Sequence, residues 1–144
     1  MPTYFLPIDM RWVGDTLKDM TGLITFEEIK QRYESGEDPF ALTLEKWIRI
    51  KEFLNKQTNY SGVVQLFEAA TMKVPFCLDY APNCSLCPLE RICQGPSTYQ
   101  QILKLLYYFL ATGMPLEKEP LIKLVDKLIE EIKEAQMEWK KRLD

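Results

Sequence analysis

The chain has 144 residues, a net charge of −3, and 47% hydrophobic and 27% charged residues. This composition suits one folded domain and excludes wholesale disorder, collagen-like repeats and the strongly basic surface usual in a whole-face nucleic-acid binder. Histidine is absent, which removes His general bases, Ser-His and Cys-His nucleophile pairs and every histidine-containing metal site.

The first residues, MPTYFLPIDMRW, have neither a basic n-region nor a long apolar h-region, so no secretory signal is expected. The longest apolar runs, such as 105–111, fall far short of the ~20 residues of a membrane span. The reading is a soluble, cytoplasmic chain with no membrane contact.

Helical periodicity starts with Met10, Val13, Leu17 and Met20, between Asp9 as N-cap and Gly22 as stop. Thr25 and Glu28 make a capping box for a second helix with Phe26, Ile29 and Tyr33 on one face. Ser35-Gly36-Glu37-Asp38-Pro39 ends it with turn chemistry. Thr43 is expected to cap a third helix carrying Leu44, Trp47, Ile48, Ile50, Phe53 and Leu54. Its Lys46, Arg49, Lys51 and Lys56 read as a solvated, mildly positive face. Ser61 is expected to cap a fourth helix, with Val63, Val64, Leu66, Phe67 and Ala70 inward.

Residues 73–97 break the pattern. They hold all four cysteines together with Pro75, Pro82, Pro88 and Pro96. A proline-rich segment of this length inside a domain needs a source of order beyond helix pairing. Helices resume with Tyr99–Leu110, capped by Ser97 and stopped at Gly113, and with Pro120–Leu143. The last carries the stripe Leu121, Val125, Leu128, Ile132, Ala135, Trp139 and Leu143. Trp47, Tyr107, Tyr108, Phe109 and Trp139 read as core aromatics. The expected fold is all-α: one compact domain, 1–144, of about six helices with a Cys-rich metal-binding loop, 73–97, inserted between them.

The four cysteines are Cys77, Cys84, Cys87 and Cys93, in the pattern C-x6-C-x2-C-x5-C. The Cys84-Ser85-Leu86-Cys87 clip lets two sulfurs grip one centre, and Ala81-Pro82-Asn83 supplies a chain reversal before it. In a reducing compartment, thiols at such spacing act as metal ligands more often than as disulfides. Four thiolates without histidine suit a closed iron–sulfur cubane or a structural tetrahedral zinc. Four protein ligands leave no open iron, so such a cluster carries electrons or holds a loop in shape. Lys73 and Arg91 are the nearby cations in sequence.

This spacing resembles, ligand for ligand, the cluster loop of the endonuclease III and adenine-glycosylase family of DNA-repair enzymes. The resemblance covers residues 77–93. It implies a [4Fe-4S] cluster with Cys77, Cys84, Cys87 and Cys93 as its iron ligands, and a place in nucleic-acid processing. The chain departs from that family elsewhere. Neither Tyr60-Ser61-Gly62-Val63 nor Thr112-Gly113-Met114 reproduces the glycine-rich hairpin, and no position receives a catalytic Lys or Asp. The stretch between the first two ligands, Leu78-Asp79-Tyr80-Ala81-Pro82-Asn83, has one acid and no base. With no catalytic constellation visible, the expectation is a non-enzymatic accessory or DNA-binding subunit. A zinc-bound protein-interaction module and an electron-transfer subunit of a redox complex are the alternatives. A protein partner is expected on the apolar face of the C-terminal helix.

Overall fold

Helices account for most of the described chain. The computed structural model describes residues 22–56, 63–80, 87–94, 96–114 and 117–143, and among them there is no strand. The helices are α1 (Phe26–Glu34), α2 (Pro39–Lys56), α3 (Val63–Thr71), α4 (Pro75–Tyr80), α5 (Glu90–Cys93), α6 (Thr98–Thr112) and α7 (Lys118–Leu143). The all-α expectation holds. The helix expected after Asp9 and the Ser61 cap lie outside the described residues. No described helix is long and apolar enough to cross a membrane.

Thr25 caps α1 as its sequence predicts: its Oγ1 accepts the Glu28 N–H at 3.1 Å. The Glu28 carboxylate is engaged in an ion network between α1 and α2. Arg32 pairs with Glu28 at 3.0 Å, Glu37 at 2.8 Å and Glu45 at 2.7 Å, and Arg49 pairs with Glu28 and Glu45. Hydrogen bonds from Arg32 hold the Glu37 and Glu45 carboxyls below the usual carboxylate range. Such a depressed group stabilises the fold above its unfolded-state value and loses that contribution as pH falls through its folded value. Arg32→Met should therefore cost about 1 kcal/mol at neutral pH, since the network is partly solvated. The cost should begin to shrink near about pH 4, where the unfolded carboxylates protonate, and vanish only below the depressed folded values. Urea unfolding of both proteins at neutral and acid pH measures this; an equal deficit at both would reject the network as its cause.

α2 starts four residues before the expected Thr43 cap. Asp38 is the effective cap, its Oδ2 accepting the Ala41 N–H at 2.9 Å. Pro39 follows as the first helical residue, where its missing N–H is harmless. Thr43 sits one turn inside, buried, with its hydroxyl donating to the Pro39 carbonyl at 2.9 Å. The inward face differs too. Of the apolar residues this helix carries, Ile48 is 42% exposed, while Lys46, expected on the solvated face, is 2% exposed. Leu42, Lys46 and Ile50 step by four, so the register that buries two of them buries the lysine between.

Val64 of α3 is likewise exposed, at 52%, and Ala69 takes an interior place with Val63, Leu66 and Ala70. α6 follows its predicted caps: Ser97 Oγ accepts the Gln100 N–H at 3.2 Å. Gly113 closes the helix in the left-handed region at φ 68°, its N–H donating to the Phe109 carbonyl at 3.0 Å. Only glycine adopts that conformation without strain. Ile102, Leu106 and Phe109 form the inner face of α6. That rotation leaves Tyr107 and Tyr108 exposed, not in the core as expected.

The stripe Leu121, Val125, Leu128 and Ile132 of α7 is buried. α7 packs on α2 and α6, and α3 packs on α2 and α6. A Lys51–Asp126 ion pair at 2.6 Å joins α2 to α7. The segment 73–97 is more helical than its prolines suggest. It carries α4, which rests on α1 and α2, and α5, which rests on α6 and α7.

Candidate metal centre

α4 carries Cys77, and α5 ends in Cys93. Pro75 opens α4, and the buried Phe76 meets Phe40 of α2 edge-on, with ring centroids 4.8 Å apart. That contact fixes Cys77, whose N–H donates to the Val74 carbonyl at 2.9 Å. Leu89 is buried at the start of the α5 turn and accepts the Cys93 N–H at 3.0 Å. The Cys93 carbonyl accepts from Gln100 Nε2 of α6 at 3.1 Å. Two short helices, each carrying a cysteine, are thus held against the bundle, α4 on α1 and α2 and α5 on α6 and α7.

Cys77 and Cys93 line one cavity of about 80 Å³. Its walls are largely apolar, with Val74, Leu89, Ile92 and Ile132 among them, and Trp47 and Tyr99 close it. Cys87 opens instead onto a neighbouring groove of about 280 Å³, beside Pro88, Arg91, Trp139 and Arg142. Its Sγ accepts the Leu89 N–H at 3.4 Å, the kind of backbone donor that steadies a ligating thiolate. None of these three cysteines is in a disulfide bond. Among the described residues, no three ligating side chains stand close enough together to hold one ion. The structure therefore brings Cys77 and Cys93 to one cavity and sets Cys87 on its flank; Cys84 lies outside the described residues.

The cavity has a member that sequence periodicity assigned to solvent. Lys46 lines it, and its Nζ donates to the carbonyls of Ala70 at 3.1 Å and Met72 at 3.0 Å. Ala70 lies in the last turn of α3 and Met72 just beyond its end, and a cation is favourable at a helix C-terminus. The same Nζ stands 5.0 Å from the Trp47 ring centroid. Burial pushes the ammonium down to about 8, while Cys93 and Cys77 pull it up. The Tyr99 hydroxyl also donates to the Ala70 carbonyl, at 3.1 Å. Burial, with Cys93 and Cys77 adding to it, pushes Tyr99 up to about 12. Lys73 and Arg91, the cations nearest in sequence, are both exposed.

Sulfur donors are the chemistry a thiophilic metal or an iron–sulfur core takes, and among the described residues two of them, Cys77 and Cys93, share this cavity. Soft sulfur ligands, apolar walls, an N–H directed at sulfur and a buried cation are the environment such a centre uses. The basic residues of α2 read as a solvated face are partly engaged: Lys46 is buried, Arg49 is in the α1–α2 network and Lys51 pairs with Asp126. No family model matches the chain, and no curated protein or solved structure matches it.

Proposed function

We propose that this chain is a small [4Fe-4S] protein in which Cys77, Cys84, Cys87 and Cys93 hold the cluster and the cluster fixes segment 73–97 on the helical body. The observation that carries this reading is that Cys77 and Cys93, sixteen residues apart, line one cavity beside a buried cation. When bound, a four-thiolate cubane supplies cross-linking of the loop and a one-electron couple. The protein's own part is to present sulfur from two helical seats, keep water away with Val74, Leu89, Ile92 and Ile132, and direct the Leu89 N–H at Cys87.

The chain acts in this reading as a non-catalytic accessory subunit. The apolar stripe of α7 is used inside the domain, so a protein partner would dock on surface that α7 leaves outside. A place in nucleic-acid processing rests on the cysteine spacing alone. Anaerobic purification followed by metal and sulfide analysis tests the cluster. About four iron and four sulfide per chain, with broad visible absorption, are expected. A colourless protein with one zinc per chain would replace the cluster by a structural zinc site.

A further inference from the structure

We propose that the outer face of α3 and α6 is a homodimer interface, where a second copy of this chain docks about a two-fold axis running along the two helices. The inference does not depend on what the cysteines hold.

The face is built of apolar side chains that the core leaves outside. Ile102, Leu106 and Phe109 take the inner face of α6, and helical geometry then turns Leu103, Tyr107 and Leu110 away from them. Tyr107 is 62% exposed and Leu110 40%. On α3, Val64 is 52% exposed. Phe67 and Leu103, one turn along from Val64 and Tyr107, are half-buried. The Phe67 and Tyr107 rings meet across the gap between the helices, with centroids 6.5 Å apart, so the two stripes form one surface. A contiguous apolar surface with aromatic rings at its centre marks an association site on a soluble domain.

Charge at the rim names the occupant. Glu68 follows Phe67 on α3, Lys104 stands one turn before Tyr107 on α6, and both are exposed. Among the described residues neither is in an ion pair. The two helices run antiparallel, since Ala70 is bonded by Tyr99 whereas Phe67 meets Tyr107. Glu68 and Lys104 therefore sit near one level on neighbouring helices. Rotation by half a turn about an axis along the pair lays α3 of one copy over α6 of the other. Phe67 then faces Tyr107 of the second copy, and Glu68 faces its Lys104, with the same two contacts repeated by symmetry. The face is complementary to itself in apolar content and in charge, which is what a second copy requires and an unrelated partner does not.

Sedimentation equilibrium of the full chain tests this, with reductant present so that no disulfide joins copies. The samples are wild type, Glu68→Lys, Lys104→Glu, the double variant and Tyr107→Ser. Wild type should be dimeric at about 100 μM. Each single charge reversal sets like charges opposite each other at both rims and should weaken the dimer at least about tenfold. The double variant re-forms both pairs and should recover most of that loss. Tyr107→Ser should also weaken the dimer about tenfold, with helix content by circular dichroism unchanged because the side chain is mostly exposed. A wild-type chain that stays monomeric at that concentration overturns the proposal. A dimer that no variant alters overturns it too, because the contact then lies elsewhere. A double variant no better than the single reversals rejects the packing of α3 on α6 of the second copy, and the proposal with it. None of these readings turns on metal content, so failure here is distinct from failure of the cluster reading.

Discussion

Replacing Trp47 with alanine is expected to remove about 3–5 kcal/mol from the unfolding free energy, read from urea denaturation. Trp47 is 3% exposed and meets Tyr99 of α6 edge-on, with centroids 5.9 Å apart. It also carries the Lys46 ammonium against its face and closes the cavity shared by Cys77 and Cys93. Truncation would leave a large void at the junction of α2 and α6, and would open the sulfur cavity to water. The control is its neighbour Ile48, 42% exposed, where alanine should change stability by no more than about 0.5 kcal/mol. Equal effects at the two positions would show that the face of α2 turned inward has been wrongly identified.

On the proposed [4Fe-4S] reading, serine at any one of Cys77, Cys84, Cys87 or Cys93 should drop bound iron from about four atoms per chain to a small residue of that. The accompanying structural change should be local. Amide exchange should quicken through α4 and α5, while α2, α6 and α7 keep most of their protection, because most of the buried core residues lie on these three helices and fewer on segment 73–97. A variant that keeps its iron and its exchange pattern would strike that residue from the ligand set. Collapse of the whole bundle would mean that the centre is part of the main core.

The parts of the fold that the sequence made legible are those fixed by local chemistry. Thr25, Ser97 and Gly113 act where a cap or a left-handed stop must act, because each satisfies a helix end within three or four residues. The stripe of α7 was readable because leucine, valine and isoleucine recur without interruption over its buried face. α2 was less readable at its start, where Asp38-Pro39 and Thr43 both offer a cap and the earlier one prevails. Lys46 was invisible for a different reason: periodicity sorts residues by type, and a lysine among lysines on one helix looks solvated. Only the arrival of the α3 end, twenty-four residues on at Ala70, gives its ammonium acceptors. The cysteine pattern identified candidate ligands, but spacing could not reveal that Cys77 and Cys93 share a cavity while Cys87 opens onto the adjoining groove.

The bond from the Tyr99 hydroxyl to the Ala70 carbonyl spans twenty-nine residues. It joins the foot of the segment that leaves α3 to the foot of the segment that enters α6, two helices already packed on each other. The sulfur-bearing stretch is therefore a detour whose two ends the bundle holds side by side. Lengthening or shortening it changes the closure entropy only logarithmically, so the cysteine-bearing segment can diverge in size and reach while the scaffold beneath it stays the same.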